Sequence, residues 1–79
     1  MATYRAYFEP GTEVSDIRVI LHIRGIQFSG LHKGKAAQNL RKPTRPYAEI
    51  PIDDEKDLSR VKSSLSGVSC FKSLIEIVT

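Results

Sequence analysis

Cysteine occurs once in this chain, at Cys70. No internal disulfide can form, so the fold needs no oxidising compartment, and an intracellular, cytoplasmic protein is expected. No base stands beside Cys70 in the sequence to lower its pKa, so the thiol reads as a small core or boundary residue and not as a reactive group. No apolar run approaches the ~20 residues of a membrane span, and the opening MATYRAYF has no basic-then-apolar leader. A soluble protein that is not exported is the expectation.

Signatures of chemistry are also missing. Two histidines, His22 and His32, with one cysteine make no C-x-x-C, no H-E-x-x-H and no calcium loop. Gly25, Gly30 and Gly34 are not spaced as G-x-G-x-x-G or as a Walker loop, so no phosphate cradle is encoded. His22 has no serine or carboxylate at a spacing that would place it beside the ring. A chain of 79 residues buries roughly 60 to 65% of its unfolded surface, which allows one modest core and no deep cavity. The reading is therefore a single domain without catalysis, cofactor or metal.

What is present is sorted charge. From Ile17 to Ala48 the chain carries Arg18, Arg24, Lys33, Lys35, Arg41, Lys42 and Arg45 and no acid. From Glu49 to Asp57 the sign reverses, with Glu49, Asp53, Asp54, Glu55 and Asp57 against Lys56. Residues 33–46 (KGKAAQNLRKPTRP) lack apolar periodicity and read as a long basic connection, with a short helical turn conceivable over Lys35–Leu40. The net charge of +3 and pI near 9.2 are mild; the clustering is the stronger signal.

Around that connection the periodicity predicts a scaffold. Thr3–Phe8 alternates, Tyr4, Ala6 and Phe8 against Thr3, Arg5 and Tyr7, as a strand does, and Pro10-Gly11 ends it. Asp16–Arg24 places Ile17, Val19, Leu21 and Ile23 at odd positions, which favours a second strand; a helix with Val14, Ile17, Ile20 and Leu21 on one face and Ser15 as its cap is the alternative. Gly25 shifts the phase and reads as a bulge or turn. Tyr47–Ile52 is a strand kept by Pro51 at an edge, or with the proline on an unpaired side. Asp53 is placed to cap a helix from Asp54 to about Ser66 that buries Leu58, Val61 and Leu65 and stops at Gly67. Phe71–Val78, apolar on much of both faces, reads as an inner strand.

The fold class is α+β: one small antiparallel or mixed sheet of three to five strands with one main helix on one face. If residues 16–24 are helical, the chain becomes βαββαβ, the ferredoxin-like arrangement, with the basic stretch as its central loop. A small binding or regulatory protein follows. One candidate partner is nucleic acid, its phosphates met by Arg18, Arg24, Lys33, Lys35, Arg41, Lys42 and Arg45 and its bases by His32 and Tyr47. The run Arg24-Gly25-Ile26-Gln27-Phe28 lacks the aromatic after glycine that the usual RNA-reading pattern needs. The other candidate is a protein-binding module or inhibitor acting by charge and shape, including a homodimer pairing basic block to acidic block.

Overall fold

The computed structural model describes residues 2–34 and 45–77. In these the chain order is β1 (Ala2–Phe8), α1 (Val14–Ile23), β2 (Gly30–His32), β3 (Tyr47–Ile52), α2 (Glu55–Ser66) and β4 (Phe71–Ile77). The strands form one sheet in the order β2-β3-β1-β4, and every neighbouring pair is antiparallel. This is the α+β class, in the βαββαβ form with the ferredoxin-like strand order. No helix among the described residues is long and apolar enough to cross a membrane.

Alternation along the two central strands decides the layers. Ala6 and Phe8 of β1 and Ala48, Ile50 and Ile52 of β3 are buried in one cluster with Ile17 and Leu21 of α1, Ile26, and Val61 and Leu65 of α2. The core therefore lies between the helices and one face of the sheet, and the alternate strand residues occupy the opposite face, which no helix among the described residues covers.

Residues 16–24 are helix and not strand. Ile17 and Leu21, at i and i+4, are buried, while Val19 and Ile23 are 54% and 75% exposed; the odd-numbered alternation puts half of its apolar set in solvent. The phase slip at Gly25 is a helix end. Gly25, with φ of 68°, donates its N–H to the His22 carbonyl at 3.1 Å, and Ile26 donates to Leu21 at 2.9 Å, which is the Schellman pattern with Ile26 and Leu21 as its apolar contact. Ser15 is not the cap: Glu13 occupies that position and makes no side-chain cap bond. With α1 present, the sheet has two helices on its covered face instead of one main helix.

Two smaller expectations also change. Asp54, not Asp53, caps α2, its carboxylate accepting the Asp57 N–H at 2.8 Å. Asp54→Ala is expected to cost about 1 kcal/mol of stability, measured as a shift of the urea midpoint at constant slope; Asp53→Ala should shift it far less. Phe71–Ile77 is an edge strand, paired to β1 alone. β3 lies inside the sheet, but β2 covers only its residues 47–49, so Pro51 sits beyond the end of the β2 ladder. The proline is thus on an unpaired side, as its missing donor requires.

Candidate functional site on the open sheet face

Register builds the uncovered face in rows. Tyr7, Tyr47 and His32 stand directly opposite one another across β1, β3 and β2, with Ser73 of β4 continuing the row. The next row holds Ile75, Arg5, Glu49 and Gly30; the third holds Ile77, Thr3 and Pro51. Directly opposed residues have Cβ atoms only ~4.5–5.5 Å apart, close enough for rings to meet.

The first row is an assembled cluster. The His32 and Tyr47 rings stack with centroids 4.5 Å apart at 18°, and Tyr47 meets Tyr7 at 5.3 Å and 46°. The Arg5 guanidinium carbon lies 4.6 Å from the Tyr47 centroid, within the range of a cation–π contact. Because β2 and β1 flank β3, His32 and Arg5 approach the Tyr47 ring from opposite sides. What remains for a ligand is the outer side of His32, whose side chain is 47% exposed, and the half-buried Tyr7. His32 Nε2 leans to Glu49 Oε1 at 2.6 Å, over the space left by Gly30, where a Cβ would lie 3.6 Å from that nitrogen.

Arg5 is the cation of this face. The Tyr7 side chain is the largest influence raising its pKa, partial burial opposes it, and Tyr47 and Glu49 add smaller effects in the same direction as Tyr7. Its Nε is buried and has no hydrogen-bond partner among the described residues. An unpartnered donor of a permanent cation is an uncommon feature, since buried polar groups are nearly always satisfied.

Charge is distributed along the strands. At the end where β1 finishes and β3 begins lie the exposed Lys33 and Arg45, which bound the long connection, and Lys72, 2.9 Å from Glu9. The Lys72 ammonium holds the Glu9 carboxyl below its ordinary pKa, with a smaller contribution from Arg45. At the other end of β3 stand Asp53, Asp54 and Asp57. A groove of about 560 Å³ opens there, lined in part by Ile26, Asp54, Asp57 and Arg60. Three of its four charged residues are already engaged: Asp54 caps α2, Asp57 takes Arg60 at 2.8 Å, and Arg60 reaches the Gly25 carbonyl at 3.5 Å, while the fourth, Asp53, is exposed. Among the described residues no group of three His, Cys, Asp or Glu side chains is placed to hold a metal ion.

The residues expected at the site divide. His32 and Tyr47 are in contact on the open face, and Lys33 and Arg45 lie at its basic end. Lys35, Arg41 and Lys42, with the turn proposed over Lys35–Leu40, fall outside the described residues. Arg18 and Arg24 belong to the helical layer: Arg18 lies 6.0 Å from the Phe28 ring, and Arg24 donates to the Ser64 carbonyl of α2 at 2.8 Å. Arg18 lies in α1 and Arg24 at its end, so neither is on the sheet surface. Sequence reasoning missed Arg5, Tyr7 and Glu49 as neighbours of Tyr47. The alternation of Thr3, Arg5 and Tyr7 carried the signal, but only the strand order puts β1 beside β3.

No protein-family model, no curated protein and no solved structure matches this chain.

Proposed function

We propose that this is a non-enzymatic cytoplasmic protein that binds single-stranded nucleic acid across the open sheet face. The observation that carries the reading is the Tyr7, Tyr47 and His32 row with Arg5 against it, on a face that no helix among the described residues covers and with Lys33 and Arg45 at one end. Unpaired bases stack on aromatic side chains whatever their sequence, and Arg adds cation–π and phosphate contacts. Tyr47 holds His32 and Arg5 in place; the outer side of His32 and the Tyr7 ring receive bases. Lys33 and Arg45, with Lys35, Arg41 and Lys42 between them in sequence, neutralise phosphates and release counterions. A duplex offers no free base faces and would meet the basic end alone.

The test is a fluorescence-anisotropy titration with labelled single-stranded oligo(U), oligo(dT) and a duplex of equal length, at about 50 and 200 mM salt. Expected are tighter binding of the single strands than of the duplex and affinity falling with salt. No single-strand binding at the lower salt, or equal binding of duplex and single strand, overturns the reading. A protein partner is the second reading, and the exposed Val19 and Ile23 on α1 favour it. Those residues face away from the aromatic row, so Val19→Ser/Ile23→Ser should leave the titration unchanged.

A further inference from the structure

Among the described residues, strand β4 ends the sheet with one side unpaired, and its sequence is self-complementary. An edge strand offers a row of free backbone donors and acceptors to another strand, and natural proteins blunt such edges with proline, very short strands, bulges or charged side chains, lysine above all. β4 is seven residues long and contains no proline; its lysine, Lys72, and the register irregularity lie at its Phe71 end, which leaves Ser73–Ile77 a regular edge. Ile75, on the open face of this strand, is 53% exposed.

We infer that β4 pairs antiparallel with β4 of a second copy of this chain, with the twofold axis at Leu74. In that register Lys72 stands opposite Glu76 of the partner subunit, and Glu76 opposite the partner's Lys72; Ser73 stands opposite the partner's Ile75, and Leu74 opposite the partner's Leu74. Both members of each charged pair are exposed in the single chain. Moving the centre by one residue puts Lys72 opposite Leu74 or Val78 and leaves both charges without a counter-ion. Opposite charges directly across an antiparallel pair stabilise it, and like charges destabilise it. The two Ile75 side chains become diagonal neighbours across the axis, ~7–8 Å apart at Cα and within reach of each other, which covers an apolar residue that the single chain leaves in water. Lys72 also holds Glu9 at 2.9 Å; an ammonium has three donors and can serve both carboxylates.

The ladder runs over Lys72–Glu76 and stops at the irregularity where Tyr7 faces Ser73 and Phe8 faces Phe71. It is short, so the dimer is weak, with a dissociation constant of roughly micromolar order or above. The result is a continuous eight-stranded sheet, β2-β3-β1-β4 joined to its copy, with all four helices on one side. The two Tyr47 rows then share one open face, about five strand spacings or ~24 Å apart. This pairing does not depend on what that face binds.

Sedimentation-equilibrium runs over a concentration series, up to several hundred micromolar, test it. The wild-type protein should approach twice the 8.9 kDa of one chain. Glu76→Lys sets like charges opposite each other twice, and should weaken the dimer roughly tenfold or more. The double variant Lys72→Glu/Glu76→Lys restores opposite charges and should recover most of the affinity, with thermal melts confirming that each variant folds. Amide exchange of wild-type residues 72–76 should slow as concentration rises, an independent readout if a variant does not fold. A monomer throughout the series, a dimer indifferent to Glu76→Lys, or one that Glu76→Lys weakens and the folded double variant does not restore, overturns the inference.

Discussion

Replacing Phe8 with alanine should remove a large fraction of the domain's stability at 25 °C. Phe8 is fully buried, meets Phe71 edge to face with centroids 5.9 Å apart, and donates its backbone N–H to the Pro46 carbonyl at 3.0 Å. It sits where the β1–β4 register shifts, so this ring fills the core at the point where the ladder is weakest. Truncating a buried Phe costs ~3–5 kcal/mol through lost transfer energy and the cavity left behind. A domain of 79 residues has a total stability of ~4–12 kcal/mol at the usual value per residue. The loss therefore consumes a large fraction of the whole, and Ala6 and Ala48 beside it are too small to move in. Urea titration followed by circular dichroism checks it: the midpoint should fall steeply, while Ser73→Ala on the opposite face should leave it nearly unchanged. A Phe8→Ala protein within about 1 kcal/mol of wild type would mean that the packing of this end of the sheet is wrong.

Particular residues explain how much of this was readable beforehand. β1, β3 and α2 announce themselves, because each has one face apolar at a single period and a turn or cap residue at its boundary: Pro10-Gly11 after β1, the aspartates before α2, Gly67 after it. Residues 16–24 satisfied two periods at once. Ile17 and Leu21 lie four apart and also two odd steps apart, and Val19 and Ile23 completed an alternation that burial does not honour. The deciding feature was Gly25, which fits a bulge in a strand and a left-handed residue after a helix equally well; only the bonds to His22 and Leu21 distinguish the two. β4 misled for another reason. Apolar side chains on both faces suggested an inner strand, yet strand order is set by the two crossovers and not by composition, and Ile75 remains exposed at the edge.

The site was half legible in the same sense. His32 and Tyr47 were visible as rings at the two ends of the basic connection, and the hairpin joining β2 to β3 brings them into a stack. Arg5 and Tyr7 lie some forty residues earlier and reach Tyr47 only because β1 inserts between β3 and β4. Arg18 and Arg24 looked equivalent to Lys33 and Arg45 as charge, but the helix takes them to the other layer, where Arg24 satisfies a carbonyl near the end of α2. Sorting by sign survives folding along β3, with the acids at one end and the flanks of the connection at the other.

Tyr47→Ala gives the sharpest test of the open face. Its ring is the middle of the row, with His32 on one side and Arg5 on the other, so its removal releases both neighbours and unfixes the base-receiving face of His32. Tyr47 receives no base itself, but it orients the His32 ring that does, and losing one base stack costs ~1–3 kcal/mol; single-strand affinity should therefore drop roughly 10- to 100-fold at fixed salt. Because no phosphate contact is lost directly, the plot of log affinity against log salt should move down in parallel. Arg45→Ala should do the opposite, costing less at any one salt concentration and reducing the slope by about one contact. Tyr47→Phe keeps the ring and should stay near wild type, which separates stacking from any hydrogen bond of the hydroxyl. Tyr47 is half-buried, so a urea midpoint measured beside each titration shows whether the folded fraction has changed. An affinity within about twofold of wild type for folded Tyr47→Ala would detach the aromatic row from binding and leave the basic end as its only carrier.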